Sequence, residues 1–215
     1  MTLTISGNQF ETLPVGTFLG VCYKIVDFGT REEIWQDQEP AKRKKIHVTW
    51  EIPSELMADG RPFAVSKTYN STLHEKANLH KDLVTWRGKP FSEEDLLGFD
   101  VSKMIGAPAM LHVEHTDKGK PRIKAIFKPD EFKLTKTIND PVIFDLDHYC
   151  NEFNGNHDER SKAAGEVFEN LLEWQQNLIK ESFEYQAVAV NTEQKPTTGG
   201  LSSFVKEEDH VDIPF

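Results

Sequence analysis

Four cations stand in a row at Lys42, Arg43, Lys44 and Lys45, in the run AKRKK that follows the polar loop TREEIWQDQEP. Clustered cations neutralise phosphates and release their counterions. Trp35, a large aromatic inside that otherwise polar loop, offers a face on which a nucleobase can stack, worth about 1–3 kcal/mol per base and tolerant of sequence. A second cation–aromatic pair, Lys67 and Tyr69, sits in SKTYN. These two share strand parity with Phe63 and Val65, so their face is either a binding surface or a core face. A third group would extend the basic rim: Arg87 and Lys89 in WRGKP, with Lys118, Lys120, Arg122 and Lys124 in KGKPRIKAIFK. Each of these, taken singly, reads equally well as solubilising surface charge.

The other chemistries have thinner support. Asp145, Asp147 and His148 in DLDHYC could serve a metal-dependent nuclease, but no further ligands stand at a recognisable spacing. His112 and His115 fall on opposite sides of a strand, and His74 and His80 on different sides of a helix. No phosphate-binding loop, nucleophile elbow or zinc-protease motif occurs. Cys22 and Cys150 form no paired motif and read as reduced thiols. The expectation is a binding protein without catalysis, cofactor or metal.

The charge is unevenly placed. Residues 1–136 hold 20 Lys and Arg against 19 Asp and Glu, whereas residues 137–215 hold 5 against 16. The net charge of −10 therefore belongs to the last third, and the first part is near neutral with local basic clusters. Such asymmetry fits nucleic-acid contact combined with an acidic tail. No apolar run approaches the roughly 20 residues needed to span a membrane. The opening MTLTISGNQFETLP lacks the basic start and apolar stretch of a signal peptide, so a cytoplasmic location is expected.

The elements that must position these side chains are mostly strands. GTFLGVCYKIVDFG (16–29) is rich in aromatic and β-branched residues, and Gly20 within it suggests a bend or bulge. KRKKIHVTWEIP (42–53) alternates, with Ile46, Val48, Trp50 and Ile52 on one face and Lys45, His47, Thr49 and Glu51 on a polar outer face. RPFAVSKTYN (61–70) is a third strand. The period then changes to that of a helix over 71–86, with Ser71 as N-cap and Gly88 as stop. A short helix over 92–99 opens with a Ser92/Asp95 capping box. Strand period returns in 106–116 and 120–129, joined by a hairpin at DKGK.

Three strands, a helix and two strands is the order of an OB-fold, a five-stranded Greek-key barrel with a helix between strands 3 and 4. In that fold the first hairpin and the second and third strands line a nucleic-acid groove. This places Lys42, Arg43, Lys44, Lys45 and His47, with Trp35, Lys67 and Tyr69, on the groove, and Arg87, Lys120, Arg122 and Lys124 at its rim. After residues 1–136 comes a segment, 137–190, expected to pack back through Val142, Ile143, Phe144 and Leu146 and then through one helix over 162–186. Residues 191–203 read as a flexible linker and the rest as a disordered acidic tail.

The stretches GTFLGVCYKIVDFGT, KKIHVTWEIP, RPFAVSKTYNSTLHEKANLHKDLVTWRGKPF, FDVSKMIGAPAMLHV, PVIFDLD and LLEWQQNLIKESFEYQ, spanning about Leu13 to Tyr185, resemble a bacteriophage family of single-stranded DNA-binding proteins. The resemblance implies an OB-fold and sequence-independent binding of single strands during phage DNA replication or recombination, in the host cytoplasm. Residues 148–165 look like an insertion particular to that family. The run EEDHVDIPF is similar to the acidic C-terminal tip of bacterial single-stranded DNA-binding proteins. That likeness implies recruitment of replication and recombination proteins through Asp209, Asp212, Ile213, Pro214 and Phe215, with Phe215 filling a partner's pocket and its α-carboxylate paired with a cation. The tail would also compete weakly for the basic groove in the absence of DNA. Homo-oligomerisation is left open.

Overall fold

The computed structural model describes residues 11–34, 39–130, 137–153 and 158–193. Five strands run antiparallel in the order β3-β2-β1-β4-β5: β1 Gly16–Glu33, β2 Ala41–Leu56, β3 Pro62–Asn70, β4 Pro108–His115 and β5 Pro121–Phe127. β1 is shared. Its first part, Gly16–Val21, pairs with β4, and Val21–Glu33 pairs with β2. The register slips between Cys22 and Lys24 and again between Asp27 and Gly29. These slips, rather than Gly20, are where the strand is irregular; Gly20 pairs regularly with Ala109. What Gly20 supplies is space, since a Cβ there would lie 2.5 Å from Leu111 Cδ1. The end strands β3 and β5 approach each other, and no ladder joins them among the described residues.

Between β3 and β4 lie helix α1 (Asn78–Arg87), helix α2 (Glu93–Leu97) and a 3₁₀ turn at Val101–Met104. Gly88 ends α1 in the left-handed region (φ 67), its N–H donating to Val84 O, and the Ser92/Asp95 capping box is formed. The helix expected over 71–86 begins later, at Asn78. Thr72 and His74 side chains accept from the backbone N–H groups two residues on, and such local bonds compete with helical ones. Ser71 instead donates its N–H to Lys44 O, 2.8 Å away.

The sheet has apolar side chains on both faces. One face, with Cys22, Ile25, Val48, Trp50, Ile52 and Leu111, closes over Leu79, Leu83 and Trp86 of α1. The other buries Val26 and Phe28 under the C-terminal segment. That segment returns as β6 (Val142–Phe144), parallel to β1 at Lys24–Val26. It continues through α3 (Leu146–Phe153), α4 (Glu159–Glu169), α5 (Glu173–Lys180) and α6 (Phe183–Glu193). Phe144 and Leu146 are buried as expected, while Ile143 is exposed.

The single helix expected over 162–186 is thus three. Asn170 and Gln176 side chains donate to the carbonyls at the end of α4, Leu172 is extended, and the Ser182 hydroxyl accepts from Tyr185 N–H to open α6.

The polar outer face expected on β2 is also buried. Glu51 has no exposed surface. Its carboxylate accepts from Ile138 N–H, from Asn139 N–H at 3.0 Å and from the Asn139 amide at 2.7 Å. A buried carboxylate needs such donors, and here they come from the chain returning toward β6. No helix among the described residues is long and apolar enough to cross a membrane.

Candidate nucleic-acid interface

The basic run forms the start of β2, paired with the end of β1: Lys45 opposite Gly29, Lys44 opposite Thr30, Arg43 opposite Arg31, Lys42 opposite Glu32. Two adjoining clefts follow it. One, of about 690 Å³, is lined by Ile34, Arg43, Lys45, Asn70 and Asn78 among others. The second, of about 200 Å³, is lined by Lys42, Arg43, Lys44, Asn70, Ser71 and Thr72. Arg43 and Asn70 line both, so the clefts read as one polar groove between the hairpin and the turn after β3.

The four cations differ in freedom. Lys45 pairs with Glu33 at 2.8 Å. Lys44 lies 2.9 Å from Asp27 Oδ2 and 3.5 Å from Asp147. Burial works to lower the Lys44 ammonium, but Asp27 outweighs it and raises its pKa. Burial pushes the Asp27 carboxyl up, despite bonds from Gly29 N–H and Lys44. Arg43 makes no ion pair among the described residues. Lys42 has its ammonium 4.5 Å from the centre of the Phe183 ring, and Phe183 is 42% exposed. Arg43 and Lys42 are therefore the cations with most to gain from a phosphate, and Phe183 places an accessible aromatic beside Lys42. Sequence reasoning missed Phe183, which lies inside the stretch read as a continuous docking helix; the break at Ser182 turns it outward.

The structure corrects several expected contacts. Tyr69 is a core residue, 3% exposed, and its hydroxyl donates to Asp82 Oδ2 at 2.9 Å. Lys67 donates to the same oxygen at 2.6 Å. The parity shared with Phe63 and Val65 is the core parity, and α1 covers it. His47 is buried, stacked on Phe28 at 5.4 Å with the edge of Trp174 5.3 Å away. Burial, with Lys24 nearby, drives its pKa down to about 4. Neither ring is free to stack on a base. Trp174 itself remains 46% exposed.

Arg87 lies at the C-terminal end of α1, bonded to Asp95 at 2.8 Å and stacked over Phe91 and Phe99. It is apart from the groove. Arg122 and Lys124 are exposed on β5 and share Glu114, each at 3.4 Å; Lys120 is exposed beside them in the hairpin. Trp35 and the tip residues Asp209, Asp212, Ile213, Pro214 and Phe215 lie outside the described residues.

Asp145, Asp147 and His148 make local contacts around the start of α3. Asp145 Oδ1 accepts from Asp147 and His148 N–H groups at the start of α3, and Oδ2 lies 2.9 Å from His148 Nδ1. Burial works against ionisation of Asp145, but the His148 contacts outweigh it and lower its pKa. Among the described residues no group of three His, Cys, Asp or Glu side chains is arranged to hold a metal.

No protein-family model matches the chain, and neither a curated protein nor a solved structure does.

Proposed function

We propose that this chain is a non-enzymatic single-strand binder on an OB-fold, acting in DNA replication or recombination and recruiting partners through its acidic segment 207–215. The observation that carries the reading is the groove shared by Arg43 and Asn70, with cations on one wall and amides and hydroxyls on the other. Its cations suit phosphates. Support for the barrel comes from the strand order β3-β2-β1-β4-β5, a helix between β3 and β4, and the approach of β3 to β5; these are the relations of a partly open five-stranded Greek-key barrel. On this reading the groove, lined by the end of β1, the start of β2 and the end of β3, would correspond to the oligonucleotide site of that fold.

The experiment is a binding series with single- and double-stranded oligomers at two salt concentrations, on the unaltered chain and on Arg43→Ala. Preference for single strands is expected, with affinity falling as salt rises and a salt slope reduced by about 0.7 for each phosphate left without its cation. A flat salt profile, or equal affinity for duplex, overturns the reading.

A further inference from the structure

A second cleft, of about 430 Å³, opens at the other end of α1. Its floor is apolar: Leu83, Trp86, Phe99, Met104, Pro108 and Pro129. Its rim is cationic. Lys89, Lys103 and Lys128 line it, all three are exposed, and none makes an ion pair among the described residues. Arg87 also lines it, with Nη2 held by Asp95 and Nη1 without an acceptor among the described residues. Asp95, the one carboxylate among the described lining residues, is thus already engaged. An apolar floor under unpaired cations suits a ligand that joins bulky apolar groups to carboxylates.

This chain carries such a segment. EEDHVDIPF, residues 207–215, holds four acidic side chains and ends in Ile, Pro and Phe. We propose that this segment docks in the α1 cleft of its own chain, with Phe215 and Ile213 over Trp86 and Phe99 and its carboxylates on Lys89, Lys103 and Lys128. The groove beside Arg43 suits it less, because that lining is mostly polar. The tether is long enough. Thirteen residues separate Glu193, the end of α6, from Glu207, and they span at most about 45 Å. A compact chain of this length has a radius of gyration of about 17 Å, so a tether of this length can pass around the edge of the sheet toward its other face. Docking there holds the segment away from other proteins while leaving the Arg43 groove open. It goes beyond the single-strand reading and does not depend on it.

The test is photocrosslinking in the full chain carrying Phe215→p-benzoylphenylalanine. The expected product is a monomer whose crosslink maps to residues 83–108 or 128–129. Crosslinks to residues 41–45 or 70–72, crosslinks between two copies, or no crosslink each overturn the proposal. In the same chain, Lys103→Glu with Lys128→Glu should cut the yield about tenfold, as the loss of about 1.4 kcal/mol of attraction would; an unchanged yield also overturns it. Both lysines are exposed, so the double variant keeps the fold, and its single-strand affinity, measured alongside, reports separately on the groove.

Discussion

Asp82 on α1 holds Tyr69 and Lys67 of β3 through one carboxylate oxygen, Oδ2, at 2.9 and 2.6 Å. This arrangement ties the helix to the sheet and engages the polar ends of both side chains, while the buried Tyr69 forms part of the wall of the cleft beside Arg43. The Tyr69 hydroxyl is correspondingly hard to ionise, its pKa raised by burial and by the Asp82 charge.

Tyr69→Phe keeps the ring in the core and removes only the bond to a charged acceptor. Stability should fall by about 1.5–3 kcal/mol, read from chemical denaturation, while single-strand affinity stays as it was. A matching loss of affinity without loss of stability would return Tyr69 to the interface.

Gly29 is where the hairpin meets the C-terminal helices. It has φ 70, and a Cβ there would fall 2.5 Å from Leu146 Cδ2 and 2.6 Å from Ser182 Cβ. Gly29→Ala therefore combines a left-handed backbone, costing about 1–2 kcal/mol, with overpacking of about 1–3 kcal/mol. Gly60→Ala is the control, with φ 84 and nothing within 4 Å, and should show the backbone part alone. Equal unfolding midpoints for the two variants would mean that Leu146 and Ser182 do not pack tightly on β1.

Strand content and strand order were legible because alternation in 42–53 and turn residues at Gly60 and Gly119 are local signals. The second face of the sheet was not. Glu51, Thr49 and His47 look like a solvent face until Asn139 and Trp174, about 90 and 130 residues away, cover them. The same blindness applies to Tyr69, since parity groups it with Val65 but gives no sign of which side α1 takes. The cationic run was legible as composition, but which of its members is free depends on Asp27, Glu33 and Asp147, two of them on the neighbouring strand. Phe183 became visible only once the chain broke at Ser182.

His47 gives a pH signature. Its ordinary pKa of about 6.5 falls to about 4 in the folded chain, so between these values the unfolded chain binds more protons. Stability is then fully present above about pH 6.5 and is lost as pH falls toward 4, by roughly 3 kcal/mol at most for this one group. His47→Gln should lose less stability than the unaltered chain between pH 7 and pH 4.5 in urea titrations. Parallel losses would show that carboxylates alone set the acid limb.

Phe183 and Lys42 supply the sharpest check on base stacking beside the basic run. The ring is accessible, and the Lys42 ammonium sits over it, 4.5 Å from its centre, so Phe183→Ala should cost only about 0.5–1 kcal/mol of stability. A base stacked on the ring contributes about 1–3 kcal/mol, so single-strand affinity should fall about five- to 150-fold by fluorescence anisotropy with a homopyrimidine strand. Phe183→Tyr should restore it, because the stacking face remains. Unchanged affinity in Phe183→Ala, with Arg43→Ala still impaired, would confine the interface to phosphate contacts and leave base stacking to residues elsewhere in the chain.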